Sequence, residues 1–194
     1  MFAITVDQRR SRTSTDRVPG LLRQLNTLDL TRRFERTAGD EVQGLCAEGA
    51  MVVEVIGHLV SDQGWWVGIG VGRVEQPLPH SVRESRGPAL IAARAAVERA
   101  HREPSGLAVD GEAGGPARDA ETLLQVLARL RQARTPEGRE AVNMMSHEVT
   151  QAKAARALGI SAQAMSRRLR VAQWPEDVRV AELAGRLLDA AAAA

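Results

Sequence analysis

Between Thr150 and Gln173 the chain carries Lys153, Arg156, Arg167, Arg168 and Arg170 and no acidic residue. Arginine presents two parallel donors that match the O6 and N7 acceptors of guanine, and glutamine pairs a donor with an acceptor as adenine requires. Gln163, Ser166 and Arg167 are therefore candidates for reading base edges in a major groove. Arg168, Arg170, Gln151 and Ser161 are the types that hold phosphate oxygens. A second set of residues is acidic. Asp7 closes the first apolar run, and Asp40 precedes Glu41 at a turn signal. Two carboxylates brought together there can hold Mg²⁺ and, through it, a nucleotide triphosphate.

The basic set needs two short helices crossing at a tight turn. Thr150 is a good N-cap for the first. Ala154, Ala155 and Leu158 form its inner face, and the small Ala155 permits a close crossing. Gly159 supplies the left-handed backbone of the turn. Ile160 plugs the corner, Ser161 caps the second helix, and Met165 and Leu169 point inward four residues apart. The outer face of that helix is left with Ala162, Gln163, Ser166, Arg167 and Arg170. This pattern resembles bacterial helix-turn-helix units of the LuxR and sigma-factor kinds. The resemblance implies a helix-turn-helix at 150–173 whose second helix, 161–172, enters the major groove of double-stranded DNA. The expected role is transcriptional regulation and not catalysis. One such unit buries little surface, so a homodimer on a pseudo-palindromic site is expected.

The acidic set needs a sheet. Phe2 to Val6 alternates as a strand, and Asp7 to Arg12 follows as a polar loop. Leu21, Leu22, Leu25 and Leu28 have helical spacing within Val18 to Leu30. Thr31 to Thr37 and Glu41 to Cys46 are strands joined by a hairpin at Ala38-Gly39-Asp40. Glu48 to Val60 is an apolar helix. Trp65 to Val74 is a strand in which Gly68, Gly70 and Gly72 alternate with Val67, Ile69 and Val71, which leaves one face open to another backbone or a ligand. Pro88 to His101 is an alanine-rich helix, and Leu107 to Asp110 an edge strand. The order predicts an α+β fold of the ferredoxin-like or nucleotidyl-cyclase-like kind over residues 1–111, with helices on one sheet face.

The glycines and prolines of Gly111 to Pro116 mark a joint, placed at 112–119. An all-α helix-turn-helix domain is expected over 120–194. It contains an amphipathic helix from Ala120 to Ala133 and another from Glu137 to Met145. Pro175 is expected as a helix stop, with helix resuming from Val178 to Leu188 and a frayed alanine end.

Several motifs of the first half look like the SatD-like family of bacterial proteins. They are Asp7 with its loop ending in Ser11-Arg12, Gly39-Asp40-Glu41-Val42-Gln43-Gly44, Val67-Gly68-Ile69-Gly70-Val71-Gly72, and Gly87-Pro88-Ala89 with Ala93-Arg94. The resemblance covers most of residues 1–102 and implies a cyclase-like fold without an established activity. More distantly the layout is similar to class III nucleotidyl cyclases and GGDEF domains, whose two metal-binding acids correspond to Asp7 and Asp40. The cyclase asparagine falls near Leu90, which cannot donate a hydrogen bond, and the first half has no lysine to select adenine. The domain is therefore expected to dimerise or sense a ligand, such as a nucleotide effector with Mg²⁺. The alternative is a Mg²⁺-dependent nucleotide-binding or nucleotide-converting enzyme.

Composition bounds the rest. The chain has 194 residues, 44% hydrophobic and 26% charged, which suits a globular protein of one large or two small domains. No apolar run is long enough to span a membrane. The apolar start of MFAITVDQRR precedes its basic residues and reads as a strand, not a signal peptide. The net charge of +2 does not announce a nucleic-acid partner, so the placement of the bases carries the reading. The single Cys46 cannot form an internal disulfide, which fits a reduced bacterial cytoplasm, and nucleoid association follows from DNA as partner. His58, His80, His101 and His147 have no metal-ligand spacing. Ser11 and Ser85 lack a nucleophile-elbow context.

Overall fold

The first strand, β1 (Phe2–Gln8), is buried along nearly its whole length and forms the middle of a five-stranded sheet. β2 (Arg32–Ala38) and β3 (Glu41–Cys46) make the expected hairpin, with Gly39 at φ +56° in its turn. β4 (Trp65–Val71) and β5 (Leu107–Gly111) complete the order β2-β3-β1-β4-β5. β1 is antiparallel to both β3 and β4, whereas β5 is parallel to β4, so the sheet is mixed. The computed structural model describes residues 1–61, 63–112, 114–145 and 150–194. Ala113 of the expected joint and His147 lie outside the described residues.

The alternation within β1 and β4 sends side chains to two different layers. Phe2, Ile4, Val6, Val67 and Ile69 enter one large core with α1 (Val18–Leu25) and α2 (Gly49–Val60). Ala3 and Leu45 point the other way and meet Ala89 and Ala93 of α3 (Pro88–Ala100). The expectation of helices on one face is thus corrected, because α3 covers the opposite face. The glycines of β4 are what let it lie there. A Cβ at Gly70 would stand 1.9 Å from the Ala89 carbonyl oxygen, and one at Gly68 would stand 2.2 Å from the Val97 nitrogen. The helix backbone occupies the space that side chains would fill.

Three further departures concern the second half. α4 (Gly115–Gln132) begins earlier than expected and buries Ala117, Ala120, Leu124 and Leu127 in the same core as Phe2 and Ile4. α8 (Trp174–Ala193) does the same with Ala184, Leu188 and Ala191, so the helix continues through the closing alanines, of which Ala191 is buried. Pro175 does not stop a helix; it stands in the first turn of α8, where its missing N–H is not needed. α8 crosses α2 closely at two glycines, since a Cβ at Gly49 would lie 2.2 Å from the Gly185 carbonyl oxygen. Asp189 of α8 accepts from the Gly49 N–H at 2.6 Å and so caps α2, whose own N-cap residue Glu48 offers no side-chain bond. The expected boundary at 112–119 therefore does not divide two cores. α4 and α8 close the sheet, and the segment between them carries a small separate core.

That core holds α5 (Pro136–Met145), α6 (Gln151–Ala157) and α7 (Ala162–Val171). Ala141, Ala154, Ala155, Met165 and Leu169 are buried in it, with Leu158, Ile160 and Trp174 packed at its edge. The structure is thus α+β, with a five-stranded mixed sheet and eight α-helices among the described residues.

Candidate nucleic-acid interface

The turn between α6 and α7 is built from backbone hydrogen bonds and two hydroxyl caps. The Thr150 side chain accepts from the Lys153 N–H at 3.3 Å, which starts α6. At the other end the Gly159 N–H donates to Arg156 O at 3.1 Å, and the Ile160 N–H donates to Ala155 O at 3.0 Å. These two bonds form a Schellman closure, which needs a left-handed residue at Gly159; its φ is +65°. Ser161 then accepts from the Ala164 N–H at 3.1 Å and starts α7. Each of these positions matches the role expected from its residue type.

With Met165 and Leu169 held inside, one side of α7 is left facing outward. Ala162, Gln163, Ser166, Arg167 and Arg170 line one shallow concavity of about 460 Å³. Gln163, Arg167 and Arg170 are exposed, and Ser166 is half-buried at its base. These are the five residues assigned to the outer face by helical spacing. Gln151, in the first turn of α6, is half-buried, and Ser161 is exposed at the start of α7.

Arg168 is placed differently from its neighbours. Its Nη1 donates to Glu140 of α5 at 2.9 Å, and its side chain is 27% exposed. It bridges α5 and α7, and does not stand with Arg167 and Arg170 on the open face. The chain contributes no acid between Thr150 and Gln173, but α5 brings one to this arginine. The sequence offers no local signal for that, because the two residues belong to different helices.

Of the acidic candidates, Asp7 lies on the α3 side of the sheet, near His101 at the end of α3. The residue opposite Asp7 in the β1–β3 register is Glu41, not Asp40. Glu41 accepts from Arg94 of α3 and from Thr37. Asp7 faces His101, whose Nε2 lies 3.5 Å from its carboxylate. Burial, with the Glu41 and Asp40 charges, raises the Asp7 pKa above the ordinary carboxylate value, while His101 and Arg94 oppose the rise. Asp40 lines a separate hollow with Ser11, Arg12, Asp16 and Arg36. Among the described residues, no three His, Cys, Asp or Glu side chains gather to hold a metal ion.

Sequence reasoning missed the neighbours of Asp7. Arg9 stacks 3.7 Å above the Trp66 ring, and the His101 ring lies 5.1 Å from it. The position of His101, one residue past α3 and level with the end of β1, was the only available hint. Cys46 is buried in the core, where desolvation pushes its thiol up to about 12.

No protein-family model, curated protein or solved structure matches the chain.

Proposed function

We propose that this protein binds double-stranded DNA sequence-specifically through α7 and regulates transcription. The observation that carries the reading is the single concave face of Gln163, Ser166, Arg167 and Arg170 on a capped helix. Its side chains match base-edge chemistry, and the helix pair contributes no carboxylate to repel phosphate. Gln163, Ser166 and Arg167 read bases, and Arg170, Gln151 and Ser161 hold the backbone. Arg168 joins them only where phosphate competes with Glu140.

The finer architecture belongs to the same proposal. Residues 1–111 form a ferredoxin-like, cyclase-like unit that dimerises or senses a ligand. The strand order β2-β3-β1-β4, with both neighbours of β1 antiparallel, supports it. The helical part presents the reader. A cytoplasmic, nucleoid-associated location accompanies this role; among the described residues no helix is long and apolar enough to cross a membrane.

The test is duplex selection from a random library, followed by anisotropy titrations across salt. Wild-type binding should weaken steeply with salt, by roughly 0.9 in log–log slope per phosphate contact. Arg167→Ala should lose about 1–3 kcal/mol on the selected duplex and little on a scrambled one. Equal affinity of both proteins for every duplex would remove the assignment of the reading helix.

A further inference from the structure

We propose that the outer face of α3 is the surface through which two copies of this chain associate. The proposal names the contact behind the dimer expected above, and only its DNA-based readout rests on that reading.

On its side of the sheet α3 packs beside Val74 and Val82 of the segment that precedes it. Its inner face is used up by Ala89, Ala93, Ala96 and Val97, all buried. Ile91, Arg94, Ala95 and Glu98 fall at helical spacing on the outer side, and all four are exposed. Ile91 is 74% exposed, which is costly for a large apolar side chain left in water. It shares the lining of an open groove of about 790 Å³ with Pro88, Leu90 and Ala95. An exposed apolar side chain in the wall of such a groove can be buried against the same groove of a second copy.

The charges at the rim select the occupant. Arg86 and Arg94 contribute two positive charges, and Glu75 and Glu98 two negative ones. A nucleic acid would meet both glutamates, and a strongly acidic or basic protein would meet as much repulsion as attraction. A second copy related by a two-fold axis can set arginine against glutamate on both sides at once, as an isologous contact requires. Arg94 is already held in place by Glu41 and approaches Glu98 at 3.5 Å, so the patch arrives ordered. A small molecule fits less well, because the groove is open and would leave such a ligand largely wet.

Sedimentation velocity on the full chain, with Ile91→Arg and Ala95→Arg variants, tests the contact. Both side chains are exposed, so the variants should keep the wild-type circular dichroism. The wild type should pass from one to two chain masses across the micromolar range, and both variants should stay at one. A wild type of single mass throughout overturns the proposal, and so do variants that dimerise as the wild type does. On a duplex with two half-sites Ile91→Arg should bind about 100-fold more weakly than wild type, with no change on one half-site. If no duplex binds but the masses behave as stated, the α3 contact stands and the DNA reading falls.

Discussion

The guanidinium of Arg134 donates to the carboxylate of Asp177 at 2.6 Å, and the two side chains are only 7% and 8% exposed. Arg131 of α4 donates to the same carboxylate at 2.8 and 2.9 Å, which makes a buried triad joining the end of α4 and the loop after it to α8. Arg134 also donates through Nε to the Ala172 carbonyl oxygen at 3.0 Å, just past the end of α7. One arginine thus ties the end of α7 to the sheet-bearing body.

Burial by itself would raise the Asp177 pKa, but the bonds and charges of Arg131 and Arg134 hold it below the ordinary value. A folded pKa below the unfolded one, ~3.9, gives stability that is fully present above that value. It is lost as pH falls through the folded pKa. Thermal melts from neutral pH into acid should show this loss in the wild type and a shallower slope in Asp177→Asn. At neutral pH the variant leaves two buried guanidinium groups underpaired and should be about 3–5 kcal/mol less stable. An Asp177→Asn protein as stable as wild type would dissolve the triad's assigned role.

Glu140 restrains Arg168. Glu140→Gln should release it toward phosphate, raise affinity for all duplexes alike, and steepen the salt slope by roughly 0.9. Arg168→Ala should weaken binding less than Arg170→Ala does. Titration of the three variants on one duplex across salt separates these outcomes, and a Glu140→Gln protein with wild-type slope would count against the pairing.

Gly159 has open space around it, so its cost on substitution is backbone strain alone. Gly159→Ala should destabilise by about 1–2 kcal/mol, and Gly159→Asn by less, because asparagine tolerates the left-handed region. Urea unfolding of both variants checks the ranking.

Gly70 differs from Gly159 because its missing side chain is replaced by the backbone of α3. Gly70→Ala must push the helix off the sheet, and a cost of about 3 kcal/mol or more is expected. A variant that keeps the wild-type urea midpoint would mean that α3 can shift freely.

Local chemistry made the α6–α7 pair legible. The hydroxyl caps at Thr150 and Ser161, the glycine at Gly159 and the inward spacing of Met165 and Leu169 all act within a few residues. The β2–β3 hairpin was legible for the same reason, and the bare face of β4 announced that something would approach it. What the sequence hid was long-range. Nothing near Gly185 or Asp189 says that α8 will cross α2 and cap it, and nothing near Arg168 points to Glu140. The composition change near residue 115 suggested a boundary because α4 and α8 share the alanine- and leucine-rich character of the helices between them. Their burial belongs to the sheet, and only the partners that they meet could show it.

The docking of α8 on α2 also bears on how the protein is made. β1 to β4 and α2 leave the ribosome well before Trp174 to Ala193 exist. At ~5–20 residues per second the interval is on the order of ten seconds. Through it Val52, Val55 and Ile56 have no α8 to cover them, and α2 lacks the carboxylate of Asp189 at its start. The nascent chain therefore holds an apolar face open until α8 follows α7 off the ribosome, and the body closes only after the α6–α7 pair has been made.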